Sequence, residues 1–146
     1  MHQRLNLNEV IPEAYKAVLA LERHVRTKID RDLLELVKLR ASMLNGCAFC
    51  VDMHSTAALK NGEDPRRLFA VSVWRESPFF SPNERAALAL TDAVTRLGEE
   101  GVTDEVWDDA VVAFGSSTAA ELVVAIATIN VWNRLSVTNR TDQPPL

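Results

Sequence analysis

Cysteine is nearly absent from this chain of 146 residues: Cys47 and Cys50 are the whole supply. Two thiols three residues apart cannot staple a fold, and a chain of this length buries a core without staples. Basic residues are outnumbered, 16 Lys and Arg against 20 Asp and Glu, and they are scattered rather than clustered. A net charge of -4 therefore speaks against a nucleic acid or an anionic membrane as partner, because both select clustered cations. No strongly apolar run reaches the roughly 20 residues that span a bilayer; the longest is ELVVAIATINVW, around Leu122 to Trp132. The opening MHQRLNLNEV lacks the basic segment and apolar run of an export signal, which predicts a reducing, cytoplasmic location and no permanent disulfide. Internal repeats, low-complexity tracts and linkers are missing too, and 47% hydrophobic with 25% charged residues argues against disorder.

What is present reads as helix. Ile11, Ala14, Val18, Leu21 and Val25 recur at three- and four-residue spacing, with Pro12 in the first turn. Asp30 can cap a second helix carrying Leu33, Leu36, Val37 and Leu44, and Asn45-Gly46 supplies its stop. A third helix is predicted from the cysteines to Asn61-Gly62, and a short fourth from Pro65. RESPFFSP is a loop, and its Trp74, Phe79 and Phe80 neighbourhood either packs the core or lines a substrate channel, with packing the better reading. Ser81-Pro82 restarts a helix with Ala86, Leu90, Ala93, Val94 and Leu97 on its stripe. Thr103 is expected to cap another through Val106, Trp107 and Val111, and TAAE at Thr118 to Glu121 to open the last as a capping box. That last segment is apolar nearly all round, so a buried strand is its rival reading; its length and the capping box favour a helix placed centrally or in a subunit interface. The expectation is an all-α bundle forming one domain over residues 1–146, with its core in about 30–100 and a flexible tail from 137.

The chemistry concentrates in NGCAFCVDMHS. If the segment after Gly46 is helical, Cys47, Cys50 and His54 fall at i, i+3 and i+7 and share one face. The first turn of a helix also favours thiolate over thiol. Three readings compete. Haem attachment of the c type needs a histidine directly after the second cysteine, where Val51 stands, and is excluded. Structural zinc needs four ligands, and only Cys47, Cys50 and His54 are obvious, with Glu35, Asp52 or His24 as fourth candidates. Plain packing of two small hydrophobes and a satisfied histidine is the blandest reading. Redox chemistry is favoured over both, and it requires a group that takes a proton and a group that returns one. His54 is placed for the first task. Along a hairpin turning at Asn45 and Gly46, Glu35 lies roughly 15 Å and His54 roughly 12 Å from the turn at about 1.5 Å per residue, so the two can meet. Glu35 interrupts the apolar run LLELV, where a carboxylate is costly unless paired; taken alone, a solvated face with Lys38 or Arg31 as partner is the competing account.

The stretch ELVKLRASMLNGCAFCVDMH, followed by VWRESPFFSPNERAALALTDAVT, resembles the alkylhydroperoxidase D-like (AhpD-like) branch of the carboxymuconolactone decarboxylase family. Its specific motif is a glutamate twelve residues before a CxxC and a histidine four after it. The resemblance implies that Cys50 attacks a hydroperoxide and becomes a sulfenic acid, that Cys47 resolves it as a disulfide, and that Glu35 and His54 relay protons. It further implies an all-helical fold, homo-oligomers such as trimers or hexamers, a thiol or lipoyl-type reductant protein, and no metal or organic cofactor. Some relatives have a histidine just before the second cysteine, where this chain has Phe49. The decarboxylase branch lacks the cysteine pair, so Cys47 and Cys50 argue against decarboxylation. Organic hydroperoxides are the expected substrates. A thiol-disulfide oxidoreductase with a protein substrate, and a non-enzymatic redox sensor, are the rival functions.

Overall fold

Short polar side chains and prolines fix where each helix begins. The computed structural model of the chain describes residues 2–145. It contains α1 (Leu7–Val10), α2 (Pro12–Arg26), α3 (Arg31–Leu44), α4 (Ala48–Lys60), α5 (Pro65–Ala70) with a 3-10 turn at Val71–Val73, α6 (Pro82–Thr95) and α7 (Asp104–Asn139). No strand occurs among the described residues, and the rival strand reading of the last segment is overturned. Asp30 accepts from the amides of Asp32 and Leu33 at 3.0 Å each. Ser81 and Glu84 form a reciprocal capping box, Glu84 N to Ser81 Oγ at 3.3 Å and Ser81 N to Glu84 Oε2 at 2.7 Å. Pro12, Pro65 and Pro82 all sit in first turns, where a missing amide costs nothing.

The expected break before the last helix lies elsewhere. Thr103 caps α7, yet the chain stays helical up to Gly115, whose φ of 78° and ψ of 157° interrupt it. A residue with a Cβ avoids that backbone region, so the glycine sets the kink. Thr118 to Glu121 therefore lie inside the resumed helix instead of capping it. Glu121 turns away to meet His24 Nε2 at 2.8 Å.

Helix α7 packs against α6, α2, α3 and α4. Its Leu122, Ala125, Ile126 and Ile129 are wholly buried, which answers much of its all-round apolar character. Counted over the whole helix, the apolar stretch is longer than the run read from the sequence and matches a membrane span in length and composition, with one side of it buried against the other helices. One core cluster joins Val25, Ile29, Leu34, Val37, Leu90 and Leu122. The other joins Leu36, Leu39, Leu68, Trp74, Phe80 and Leu88, so Trp74 and Phe80 pack the core while Phe79 is 37% exposed.

Helix α2 departs from its predicted stripe. Val25 is buried, but Ile11 and Leu21 are 39% and 44% exposed. Tyr15, Leu19, Glu22 and Arg26, one helical face over, turn instead toward α4 and α7. The ring of Tyr15 meets Trp132 of α7 edge to face at 5.2 Å. The tail differs from the sequence reading as well: residues 137–139 form the last turn of α7.

Candidate active site

The α3–α4 hairpin brings the motif together. Gly46 has φ 65°, a left-handed turn that Asn45-Gly46 permits without steric cost. The tip is tied to α7: Asn45 Nδ2 donates to Asn130 Oδ1 at 3.0 Å and Asn133 Oδ1 at 2.9 Å, and Asn133 Nδ2 donates to Ser42 Oγ at 3.0 Å. Sequence reading passed over Asn130 and Asn133. The available signal was two amides inside an apolar helix, which are costly there unless bonded.

Cys47 is the N-cap of α4, and its Sγ accepts the amide of Cys50 at 3.3 Å. The two cysteines are bonded to each other, with Cα atoms 5.3 Å apart, and each is 1% exposed. His54 follows one turn after Cys50 on the same helix. Its Nδ1 lies 2.7 Å from Glu35 Oε2, and both side chains are 4% exposed. The two meet across the hairpin, as the helical arithmetic allows. The account of Glu35 as a solvated residue paired with Lys38 or Arg31 is overturned, because Arg31 is held by Asp32 and Lys38 by Glu22. A carboxylate oxygen accepts, so Nδ1 is the donor in this pair, and in a neutral imidazole the lone pair then belongs to Nε2. Nε2 is buried and has no hydrogen-bond partner among the described residues. A ring nitrogen left so is available for a proton.

Beneath this pair lies a second one. Lys38, one turn after Glu35, is completely buried and bonded to Glu22 of α2, which also takes Arg26 Nε at 2.7 Å. Burial pushes the Lys38 ammonium below its usual range, with the Glu22 bond and the Glu35 charge opposing that shift. Burial alone would raise the Glu22 carboxyl, but Lys38 and Arg26 outweigh it and hold the group below the usual carboxylate range. Neither Glu22 nor Lys38 was singled out as a site residue from the sequence. Lys38 could have been found as a charge next to the buried Glu35 on the same helix; Glu22 has no local signal.

Cys50 and His54 line a cavity of about 270 Å³ together with Tyr15, Leu19, Met53 and Trp132. Its lining sets the Cys50 sulfur, the His54 imidazole and the Glu22–Arg26 ion pair among mainly apolar and aromatic side chains. A metal site is not assembled from the suggested residues. His24 stands with Glu121, and among the described residues no group of three or more His, Cys, Asp and Glu side chains is arranged to hold an ion.

The carboxymuconolactone decarboxylase family model matches residues 12–93, which takes in α2 to α6 and with them Glu35, both cysteines and His54. The chain belongs to this family. The uncharacterised protein YdfG of Bacillus subtilis (strain 168) is 38% identical over 138 residues, 94% of each chain. The solved structure of a protein of unknown function from Agrobacterium tumefaciens, ATU0492, provisionally assigned to antioxidant defence as AhpD, superposes with a TM-score of 0.95 at 40% identity, covering 99% of this chain and 100% of its own. The debrominase Bmp8 without ligand superposes with a TM-score of 0.80 at 21% identity, over 91% of this chain and 72% of its own, which is a likeness of fold. Family member and all-α AhpD-like fold thus agree with the reading of the motif.

Proposed function

We propose that this family member is a thiol peroxidase that reduces organic hydroperoxides through a Cys50 to Cys47 disulfide cycle in the cytoplasm. The observation that carries the reading is the Glu35–His54 pair with Nε2 free, one turn from a cysteine already bonded to its neighbour. His54 Nε2 takes the proton of the Cys50 thiol while Glu35 steadies the resulting imidazolium. The thiolate attacks the outer peroxide oxygen: an S–O bond forms, the O–O bond breaks, and the departing alkoxide takes the proton from His54 and leaves as an alcohol. Cys47 then attacks the sulfenic acid, the S–S bond forms and water departs, so two thiols supply the two electrons. The apolar walls of the Cys50 cavity favour an organic peroxide over hydrogen peroxide.

The reading includes assembly of identical copies as a trimer or hexamer. Val112 and Phe69 are 87% and 76% exposed, and the predicted stripe of α2 is left partly uncovered. Such apolar surface is what an interface between subunits covers.

The test uses reduced protein and one equivalent of cumene hydroperoxide, followed by mass and free-thiol count over time. Loss of both thiols to an internal bond, abolished by Cys50→Ser, is the expected result. Peroxide consumption at the wild-type rate by Cys50→Ser removes the assignment. Faster turnover of insulin-type disulfides than of cumene hydroperoxide would favour the oxidoreductase with a protein substrate.

A further inference from the structure

The two sulfurs of the bonded pair line different spaces. Cys50 lines the aromatic cavity with His54, and Cys47 is not among its walls. Cys47 lines a separate recess of about 390 Å³, whose other walls include Ala48, Val137 and residues 140–143, and to which neither Cys50 nor His54 contributes. Phe49 and Ser136 border both spaces and form the partition. The recess has a built outer wall. Arg140 ends α7 in the left-handed conformation (φ 55°), and the Thr141 amide bonds back to Ser136 O at 3.0 Å. Beyond that turn, Gln143 Nε2 reaches Ala48 O at 3.5 Å and the Asp142 amide reaches Gln3 Oε1 at 3.4 Å. The N-terminal segment backs it up, with Asn139 exchanging hydrogen bonds with the Leu5 backbone at 2.8 and 2.6 Å.

We infer that the protein has two entrances: peroxide reaches Cys50 through the aromatic cavity, and a slender dithiol returns electrons at Cys47 through the recess that the turn at 140–143 encloses. This rests on the disulfide cycle proposed above. One thiol of the dithiol loses its proton to water and attacks Cys47 Sγ as the thiolate; a mixed disulfide forms, the Cys47–Cys50 bond breaks, and the electron pair leaves on the Cys50 sulfur, which takes up a proton from water. The second thiol of the reductant then attacks its own sulfur in the mixed disulfide, releasing Cys47, which collects the proton given up. Two electrons and two protons pass from dithiol to protein. Both cysteines are 1% exposed and each lines its own space, so the room for approach and the quality of the leaving group decide which sulfur is attacked. The recess at Cys47 is the roomier, about 390 Å³ against about 270 Å³, and the sulfur that departs from Cys47 sits in the first turn of α4, one turn before His54. With Cys47 1% exposed at the base of a recess, a dithiol on the surface of a folded protein cannot reach it without displacing the turn.

The experiment starts from the oxidised protein, prepared with diamide so that no peroxide step is involved, and follows its reduction by dithiothreitol from thiol appearance. Ala48 is exposed and lines the recess but not the Cys50 cavity; Met53 does the reverse. Ala48→Trp is expected to slow reduction at least tenfold more than Met53→Trp does, and Ala48→Leu to give a smaller shift of the same sign should the tryptophan variant fold poorly. For oxidation of the reduced protein by cumene hydroperoxide the order of the two tryptophan variants should invert. Reduced thioredoxin should act more slowly than dithiothreitol at equal concentration. Equal slowing by Ala48→Trp and Met53→Trp, or thioredoxin acting as fast as dithiothreitol, overturns the inference. Failure of cumene hydroperoxide to oxidise the wild type would remove the peroxidase reading alone, because the reduction rates of the diamide-oxidised variants still decide which side the dithiol enters.

Discussion

Replacing Glu35 by Gln separates the proposed proton relay from the scaffold. The substitution keeps size and an acceptor oxygen for His54 Nδ1, now 2.7 Å from Glu35 Oε2, but removes the charge that steadies an imidazolium. Two consequences follow with different magnitudes. For stability, a hydrogen bond to a charged group contributes about 1.5–3 kcal/mol, offset by the desolvation that a buried carboxylate no longer suffers, so the net loss should stay under about 2 kcal/mol. For rate, removing the group that orients a working histidine costs about 10–100-fold, and the upper figure corresponds to about 2.7 kcal/mol in the barrier. The assay is the oxidation rate of reduced protein by cumene hydroperoxide, read by thiol count, alongside a urea melt of the same sample. A variant that melts near the wild type yet oxidises at least tenfold more slowly supports the relay. Wild-type oxidation would refute it, since a neutral amide would then serve as well as a carboxylate. Loss of the fold would show Glu35 to be structural.

Further outcomes follow from the same contacts. Lys38→Met strips the buried ammonium from Glu22 while Arg26 remains, and should cost about 2–3 kcal/mol in a urea melt, with Glu22→Gln in the same chain recovering part of it. Asp92 accepts Arg40 Nε at 2.6 Å and Trp74 Nε1 at 3.3 Å and also holds Arg75, so Asp92→Asn should lower stability by about 2–3 kcal/mol and, because Asp92 lines neither cysteine cavity, leave cumene hydroperoxide oxidation within twofold. Acid should unfold the protein through three carboxyls. Burial would raise Glu22, Glu84 and Asp92, but Lys38, Arg67 and Arg40 respectively hold each below its usual 4.5, 4.5 and 3.8. The unfolded chain then binds protons first, so stability is fully present above about pH 4.5 and falls as pH drops through the folded values; a melting temperature flat from pH 5 to pH 3 would contradict this. Light scattering of the purified protein should give three or six times the chain mass, and a monomer would dismiss the assembly.

Helix starts were legible because a cap is a local device: Asp30, Ser81 and Thr103 each bond an amide two or three residues on, so the pattern is complete within one short window. Thr118 fails for an instructive reason. Its spacing to Glu121 is that of a capping box, but the chain had already turned at Gly115, and a box can form only at an amide not yet used by the preceding turn. The Glu35–His54 contact could be anticipated because a tight turn sets residues at similar distances from it side by side on the two helices. The Glu22–Lys38 contact could not, since it depends on which face α2 presents to α3, and that is set by packing around Tyr15 and Trp132.

The buried lysine explains how the fold tolerates so much charge beside a thiol. From Glu22 through Lys38 to Glu35 acidic and basic side chains alternate, and a buried carboxylate with no cation near it would be expelled or protonated. Lys38 neutralises one carboxylate by direct contact and acts on the other as a charge one helical turn away. Glu35 meets His54 in a site with almost no water contact. In the proposed cycle, moving the Cys50 proton to His54 would create an imidazolium next to a carboxylate and a thiolate in the first turn of α4, where opposite charge already waits. The dyad therefore depends on a pair it does not touch directly. In Lys38→Met the oxidation rate and its pH profile should both shift while Glu35 and His54 are unaltered in sequence; a profile unmoved by that change would confine Lys38 to holding α2 against α3.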